Sequence, residues 1–564
     1  VPFLAPDKYF ELYPPEKLPL LSYPSKLWES LPKTAISKRY EAFGFELGKE
    51  DPSLRREYMQ AYHACISFLD AQLKIVFDAL KSSGHWEDTI IVFTSDHGYH
   101  LGEHFLWGKV TLFDIGTRVP FLVRAPGLTE GGTQSEAMVE LVDIYPTLAD
   151  LTNLDSPSGL QGVSLRPLLN HPERRGKKKV AYTVVTRGPR LGYALRNQNW
   201  RYSKWPDGEE LYNLKVDPHE WDNLAGDPAF ESEKAKLRGV APDTFAEPIK
   251  DLNARKSLVI ESDTFRWERG EGNYIPRPKN RPYADSGDDK PLKPAKKKTA
   301  QKSQSDRKRP NILFVVCDDL NTHVSPSGYD AIQTPTLAGL AAESMTFRNA
   351  YCQYPVCGPS RASFLTGRYP QATGVLNNTI GLREACPDAV TMPEFFKENG
   401  YWTASTGKVF HSTRHELGDV AWNEYVRFDN DELPVVQAAR EAFEKEHGSV
   451  EDAKNRKQWK ALQKQVSATL NAQTPPGHGR SGLDDSQHKD GKNARQVASW
   501  LSNHSHGEKP FFIACGIQKP HVPFLAPDKY FDPNACAASS IILIFLYLQN
   551  LIKFLFKLTK LPKV

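Results

Sequence analysis

The chain has 564 residues, 40% of them hydrophobic, so it can bury a sizeable core in one large α/β domain with additions or in several domains. Its 72 basic and 68 acidic residues leave a net charge of +4, which argues against a strong polyanion binder such as a nucleic-acid-binding protein. The seven cysteines are sparse and include no C-x-x-C pair, so neither a disulfide framework nor a cysteine zinc site is predicted.

The first part of the chain has an alternating helix and strand pattern. Apolar side chains recur at helical spacing over residues 54–80, which predicts a long helix. Residues 89–94 form a short β-branched run that is typical of a buried parallel strand, and Asp96 and His97 follow it. Residues 119–123 predict another strand, and residues 138–151 predict another helix.

Residues 180–225 differ in character from the preceding part. Short strand-like runs alternate with turn residues there, which predicts a small antiparallel sheet in a separate subdomain. Residues 266–309 are polar and rich in lysine and proline, so we expect a disordered basic linker rather than a site for nucleic acid or acidic polysaccharide.

A second α/β pattern begins after the linker. The predicted elements are strands at 311–316, 401–405 and 510–517, a helix at 334–343 and a charged helical insertion at 436–470. The apolar stretch 539–558 is a weak candidate for a membrane anchor because Lys553 and Lys557 interrupt it, and its origin is doubtful.

Four predicted strands end in polar groups, namely Asp318 with Asp319, Lys408 with His411, Lys519 with His521, and Asp96 with His97. In open parallel sheets the reactive site lies beyond the carboxyl ends of the strands, so we expect one shared site. Three carboxylates and a histidine suit a hard divalent cation such as calcium or magnesium. Lysine and arginine suit a tetrahedral oxyanion, and further histidines suit proton transfer, which together indicate hydrolysis of a charged ester.

One short motif combines a thiol, a turn and a guanidinium. Cys357-Gly358-Pro359-Ser360-Arg361 leads into a predicted helix that stops at a glycine. The start of a helix attracts anions, so Cys357 is a candidate nucleophile, although a lone cysteine at such a position is also compatible with a structural role.

This motif matches the C-x-P-S-R signature of the sulfatases, and the residues that follow it, through Pro370, also resemble that family. Residues 95–109, 407–411 and 519–521 resemble the iduronate-2-sulfatase branch. The resemblance implies an alkaline-phosphatase-like α/β fold, with a mostly parallel central sheet flanked by helices and a small antiparallel C-terminal-type subdomain.

The resemblance also implies a role for each site residue. Cys357 would be oxidised to formylglycine by a formylglycine-generating enzyme and would share one calcium ion with Asp318, Asp319, Asp96 and His97, the last standing where many sulfatases have asparagine. The other implied roles are stabilisation of the hydrated aldehyde by Arg361, assistance to sulfate elimination by His411, and binding of sulfate oxygens by Lys408 and Lys109. His521 would protonate the leaving alcohol or help to hold the sulfate. An unmodified thiol would stall because it has no second oxygen with which to expel sulfate.

The implied activity is a sulfuric ester hydrolase acting on a sulfated sugar or polysaccharide. Sulfatases of this type are usually exported, so the resemblance implies a periplasmic, extracellular or lysosome-like setting. A phosphatase or phosphonate hydrolase of the same superfamily, and an inactive rearranged pseudoenzyme, are the alternatives.

The order of the segments departs from that of the family, because the half that usually comes second is first here. Residues 1–10 and 522–531 are the same ten-residue sequence. This repeat predicts either a circular permutation joined at that point or the tail of one sulfatase copy fused to the head of the next. The predicted domains are 1–179 and 310–535 as the second and first halves of the α/β domain, 180–265 as the subdomain, 266–309 as the linker and 536–564 as the tail.

Two further groups near these motifs receive structural interpretations. His100 and His104 have the spacing of a metal pair on a helix but lack an HExxH motif, so we expect a structural or substrate-rim role. Cys317 ends an apolar run and is interpreted as a packed thiol.

Overall fold

The computed structural model describes residues 3–4, 12–20, 22–24, 27–36, 51–187, 190–241, 257–261, 264–268, 309–411, 420–429, 434–450, 452, 454–473, 478–479, 481 and 483–521. Most of the predicted linker, the apolar stretch 539–558 and nearly all of both repeat copies lie outside these residues. Among the described helices, none combines the length and apolar character needed to cross a membrane.

The strands are β1 Phe3–Leu4, β2 Thr89–Ser95, β3 His100–Leu101, β4 Trp107–Gly108, β5 Phe121–Arg124, β6 Thr133–Glu140, β7 Ala181–Arg187, β8 Arg190–Arg196, β9 Trp200–Trp205, β10 Gly208–Asn213, β11 Ser257–Glu261, β12 Thr264–Glu268, β13 Asn311–Asp318, β14 Met345–Tyr351, β15 Trp402–Gly407, β16 Glu424–Val426, β17 His478–Gly479 and β18 Phe511–Pro520.

The α-helices are α1 Pro52–Ser82, α2 Asp114–Thr117, α3 Ile144–Leu151, α4 Arg166–Asn170, α5 Glu231–Arg238, α6 Pro335–Ala342, α7 Cys357–Thr366, α8 Pro370–Thr373, α9 Leu382–Ala385, α10 Met392–Glu398, α11 Pro434–His447, α12 Arg456–Gln473 and α13 Lys489–Ser502.

An eight-stranded sheet with the neighbour order β16-β15-β18-β13-β2-β5-β14-β6 forms the centre of the fold. Its neighbouring strands are parallel except where β5 pairs antiparallel with β2 and β14. This confirms the predicted mostly parallel α/β sheet. Strands β2, β5 and β6 precede the predicted linker, whereas the other five follow it, so both segments of the chain build one sheet.

The central strand β13 shows why its apolar run folds as a strand. Leu313 and Val315 belong to the hydrophobic core that contains α1, whereas Ile312 and Phe314 belong to the core on the other face. The Phe314 ring lies 5.8 Å from the ring of Phe364 in α7. A strand covered by helices on both faces needs apolar side chains at every position, which a continuous run supplies.

The predicted small sheet is also present, as the antiparallel order β10-β9-β8-β7. It packs against the segment that leads into α7, because Tyr354 and Val356 share a hydrophobic cluster with this sheet. The Thr183 hydroxyl donates to the carbonyl of Cys352 at 2.6 Å, and Val184 N donates to the carbonyl of Gln353 at 2.9 Å. The small sheet therefore supports the approach to the cysteine motif.

Two predicted boundaries are wrong, and one predicted segment is divided. Residues 138–140 are the end of β6 rather than the start of a helix, because they pair with β14 and α3 begins only at Ile144. The predicted helical insertion 436–470 is present as two helices, α11 and α12, which are separated at Gly448, whose φ is +82°. Strand β12 includes the first three residues of the predicted linker 266–309.

Candidate active site

The predicted polar strand ends meet at one edge of the large sheet. Strands β15, β18, β13 and β2 are neighbours, and Asp318 ends β13 while Asp96 directly follows β2. At the end of β15, Gly407 has φ +74°, and a Cβ atom there would lie 1.8 Å from the carbonyl oxygen of Gly516. Only glycine allows this close turn, after which Lys408 N donates to the same carbonyl at 3.2 Å.

The centre of the site is a group of buried carboxylates. Asp96, Asp318 and Asp319 are each fully buried, and Oδ1 of Asp318 and Oδ2 of Asp319 accept no hydrogen bond from the described residues. Buried carboxylate oxygens are costly unless a cation or a donor satisfies them. These oxygens therefore fit a bound cation.

The described residues offer two overlapping sets of ligand atoms. One set is Asp96, His97, Asp318 and Cys357, and the other is Asp318, Asp319, Cys357 and His521; within each set the atoms lie within 4.8 Å of one another. The three carboxylates Asp96, Asp318 and Asp319 supply oxygen donors, which suit a hard cation such as calcium or magnesium. The family-implied metal thus agrees with the residues present.

Two lysines balance this negative charge. Lys109 Nζ donates to Oδ1 of Asp319 at 2.6 Å, and Lys408 forms an ion pair with Asp318. Burial alone would lower the pKa of Lys109, but the negative charges around it, Asp319 foremost, together outweigh burial and hold that pKa well above its usual value. Both ammonium groups therefore stay charged next to the carboxylates and can attract an anionic group.

Arg361 lies beneath the carboxylates and is almost fully buried. Its Nε donates to Oδ2 of Asp96 at 2.9 Å, and its Nη2 lies 3.4 Å from Oδ1 of Asp318. Its other guanidinium hydrogens reach the backbone carbonyls of Cys317, Lys408 and Val409. A single planar guanidinium thus ties the ends of three strands together.

Cys357 is the first residue of α7, so its thiol stands where a helix favours negative charge. Its Sγ lies 3.1 Å from Lys109 Nζ and 3.5 Å from His97 Nε2. Burial would raise the pKa of the thiol, but Lys109 and Lys408 outweigh it and hold that pKa well below its usual value. Burial would also lower the pKa of His97, yet Asp96 and Cys357 raise it to about 9. Both shifts favour the charged forms of the unmodified pair, a thiolate next to an imidazolium.

The two remaining predicted histidines also lie at this edge. His521 Nε2 is 3.9 Å from Oδ2 of both Asp318 and Asp319. A hydrogen bond from His411 helps to lower the pKa of the Cys357 thiol. All ten predicted site residues are thus brought together: Cys357, Arg361, Lys408, His411, His521, Lys109, Asp318, Asp319, Asp96 and His97.

Two residues that support the site, Tyr62 and Asp490, could not be identified from the sequence. The Tyr62 hydroxyl, on α1, donates to the carbonyl of Asp319 at 2.8 Å and accepts from Asn321 N at 2.9 Å. Asp490, on α13, accepts from the backbone nitrogens of Gln518 and Lys519 at 2.8 Å each. Tyr62 had the spacing of an ordinary core residue, so nothing in its local sequence signalled this contact.

His100 and His104 make packing and hydrogen-bond contacts that are typical of structural residues. His100 Nε2 bonds to the Thr111 hydroxyl at 2.7 Å, and the ring of His104 stacks on Phe113 at 3.8 Å. Burial lowers the pKa of both histidines. Cys317 is fully buried, as predicted for a packed thiol.

Comparison with known protein families assigns the chain to a family. The family model described as Sulfatase matches residues 27–154 and 310–537, which is more than half of the chain. A second model, N-sulphoglucosamine sulphohydrolase, C-terminal, matches residues 102–241. The chain therefore belongs to the sulfatase family.

Individual relatives match only part of the chain, at 25–33% sequence identity. A sulfatase from Formosa agariphila is 33% identical over 253 residues, which cover 44% of this chain and 48% of that protein. Mouse iduronate 2-sulfatase is 33% identical over 228 residues, which cover 39% and 36% of the two chains. A phosphonate monoester hydrolase from Agrobacterium radiobacter has a crystal structure that is 25% identical, with a TM-score of 0.37, and covers 42% and 52%. Each match thus spans about half or less of these relatives.

Proposed function

We propose that the protein is a sulfuric ester hydrolase that removes sulfate from a sulfated sugar or polysaccharide. The observation that carries the proposal is the position of Cys357, whose Sγ lies 3.1 Å from Lys109 Nζ beside the buried carboxylates. This position combines a nucleophile, a cation and the beginning of a helix, which attracts anions. Such a combination suits attack on an anionic ester.

The proposed reaction needs the cysteine in a different oxidation state. Formylglycine from Cys357, made by a formylglycine-generating enzyme, would add water to form a geminal diol. One hydroxyl of the diol would be the oxygen nucleophile, and the second would release sulfate as the aldehyde forms again. His411 and His521 lie close enough to the site to move protons, the first beside Cys357 and the second beside the two carboxylates. The Arg361 guanidinium holds the carboxylates of Asp96 and Asp318 in place.

One calcium ion is the proposed metal. Asp96, His97, Asp318 and Asp319 would hold it together with residue 357, and it would supply positive charge for the substrate and the nucleophile. Lys109 and Lys408 now neutralise two of these carboxylates. A bound cation would take over that role, so both ammonium groups could turn to sulfate oxygens.

The substrate class rests on relatives of the family. Mouse iduronate 2-sulfatase is named for a sulfated sugar, and the same branch is proposed for this chain on the motifs at residues 95–109 and 519–521. An exported setting follows from the same resemblance and is tested by locating the protein in cell fractions.

The activity is tested with 4-nitrophenyl sulfate and 4-nitrophenyl phosphate on protein co-produced with the maturation enzyme. We expect hydrolysis of the sulfate ester, loss of it on calcium chelation, and no activity in Cys357→Ala. The variant Cys386→Ala, which removes a different buried thiol, serves as the control and should retain activity. Preference for the phosphate ester would favour the phosphatase alternative, and inactivity on both esters would favour the pseudoenzyme.

We also propose that the chain is a circular permutant whose two halves, 1–179 and 310–535, form one site within one molecule. The interleaving of β2 between β13 and β5 supports this, since β13 and β2 come from different halves. Mixing Cys357→Ala with Asp96→Ala tests it. Activity should stay absent in the mixture, because every single-chain site carries one defect. Restored activity would mean that the halves pair between chains.

A further inference from the structure

A cluster of three histidines lies at the opposite edge of the large sheet, where β2, β13 and β18 begin. His85 precedes β2, and His504 and His506 lie between α13 and β18. One ring nitrogen of each histidine lies within 4.8 Å of those of the other two. The ring centres of His85 and His506 are 5.0 Å apart, and that of His504 lies 5.8 Å and 6.0 Å from them.

Two of the rings are held by acceptors on their Nδ1 side. His85 Nδ1 lies 3.2 Å from Oδ1 of Asp88 and 3.3 Å from Asn311 Nδ2, and this amide nitrogen donates to the same Asp88 oxygen at the shorter distance of 2.9 Å. His506 Nδ1 donates to the carbonyl of Lys509 at 2.9 Å. An acceptor on Nδ1 places the proton there, so Nε2 becomes the basic nitrogen. Histidines that bind metal in proteins are commonly oriented by carboxylates and carbonyls in this way.

The third histidine is placed differently. His85 and His506 are largely buried, whereas His504 is exposed, so the cluster is open to solvent on one side. His504 also has φ +46°, a left-handed conformation that favours glycine or asparagine after a helix end. A histidine at this position costs backbone energy, which a ligand role would offset.

Simple ring packing accounts for only part of the cluster. His85 and His506 both contact the ring of Phe511, at 5.6 Å and 5.2 Å, which explains why these two rings are buried. It does not explain why an exposed histidine in a strained conformation stands beside them. Three imidazoles that converge in this way match the nitrogen ligands of a borderline metal ion.

We propose that His85, His504 and His506 bind one transition-metal ion of the zinc class, with a water molecule in the fourth position. The three nitrogens lie within 4.8 Å of one another and would close to about 3.3 Å, the separation of ligands around a tetrahedral zinc ion. The site is separate from the proposed calcium site, because it lies at the start of the strands and has no carboxylate among its ligands. Its ion would join residue 85, before the predicted linker, to residues 504–506 after it.

A metal that binds only the folded chain stabilises it, so this site would stabilise the docking of the two segments. The test is zinc titration of the chelator-treated full chain by calorimetry, with a thermal melt at each zinc concentration. The informative variant is His504→Gly, which removes one ligand while suiting the positive φ of that residue. Both proteins keep Cys357 and the carboxylates, so any zinc binding there is common to both and cancels in the comparison.

We expect the wild-type chain to bind one more zinc ion than His504→Gly, and zinc to raise the melting temperature of the wild type more than that of His504→Gly. Asp88→Asn, which weakens the orientation of His85, should lower zinc affinity about 10–100-fold. His171→Gln, which alters a half-exposed histidine 3.6 Å from Glu173, is the control and should behave like the wild type. Equal zinc stoichiometry and affinity in the wild type and His504→Gly would overturn the proposal.

Discussion

The Nζ atom of Lys109 lies 3.1 Å from the Sγ atom of Cys357, although 248 positions separate the two residues in the chain. Lys109 follows β4, before the predicted linker, and Cys357 begins α7, after it. The same ammonium group donates to Asp319, so it joins the nucleophile motif to the carboxylate group. The site therefore depends on contact between the two segments of the chain.

Replacing Lys109 with methionine should raise the pKa of the Cys357 thiol. The positive charge of Lys109 is the largest influence that lowers this pKa, since burial acts in the opposite direction. The measurement is the absorbance of the thiolate near 240 nm against pH, in unconverted protein, with Cys357→Ser as the blank. Lys74→Met, at an exposed lysine on α1, is the control. An unchanged titration in Lys109→Met would contradict the assigned contact.

Arg361→Met should destabilise the protein by about 3–5 kcal/mol, because it leaves buried carboxylates without their shared partner. The free energy of unfolding in urea measures this effect. Arg383→Met is the comparison, since Arg383 pairs with Glu394 at a position 33% exposed and should cost about 1 kcal/mol or less. Similar losses in both variants would show that Arg361 does not organise the strand ends.

Tyr62→Phe should cost about 1–3 kcal/mol and lower sulfate-ester hydrolysis, because the carbonyl of Asp319 and the nitrogen of Asn321 lose a buried partner. Tyr145→Phe is a matched control, since the buried Tyr145 hydroxyl has no hydrogen-bond partner among the described residues. Urea unfolding and the ester assay measure both variants. Equal free energies of unfolding and equal ester hydrolysis in the two variants would show that the Tyr62 hydroxyl does not support the site.

The carboxylate of Asp70 gives a pH-dependent contribution to stability. It accepts from Thr336 N at 2.9 Å and Leu337 N at 2.8 Å, and burial raises its pKa from 3.8 to about 6. The folded chain thus binds this proton more tightly than the unfolded chain, so the stabilising contribution is complete below pH 3.8 and is lost as pH rises through about 6.

We therefore expect the wild type to lose more stability than Asp70→Asn between pH 4.5 and pH 7, by at most about 3 kcal/mol. Urea unfolding at several pH values provides the measurement. Asp78→Asn, at an exposed position on the same helix, should follow the wild type. A pH dependence in Asp70→Asn as steep as that of the wild type would refute the assignment.

Much of the site was predictable because its residues directly follow strands. Asp96, Asp318 and His521 lie at or just beyond strand ends, and parallel neighbours bring such ends together. The sequence pattern predicts a helix for residues 138–140, but a short apolar run fits a buried strand equally well. Pairing with β14 decided between them, and that pairing is not local in sequence.

The contacts of supporting residues could not be predicted for the same reason. Tyr62 reaches Asp319 across 257 positions, and its helical spacing indicates only that it is buried. His85 lies far along the chain from His504 and His506, so the cluster exists only once β2 and β18 flank β13. Such sites depend on sheet order, which neither periodicity nor local motifs specify.

The central claim is that Cys357 is the precursor of the catalytic aldehyde. Trypsin cleavage after Arg348 and Arg361 releases the peptide 349–361, which contains Cys352 and Cys357. The mass of this peptide, with fragmentation to locate the change, tests the claim in protein co-produced with the maturation enzyme. We predict an aldehyde at position 357 and an unchanged thiol at position 352. A thiol retained at position 357 would contradict the account.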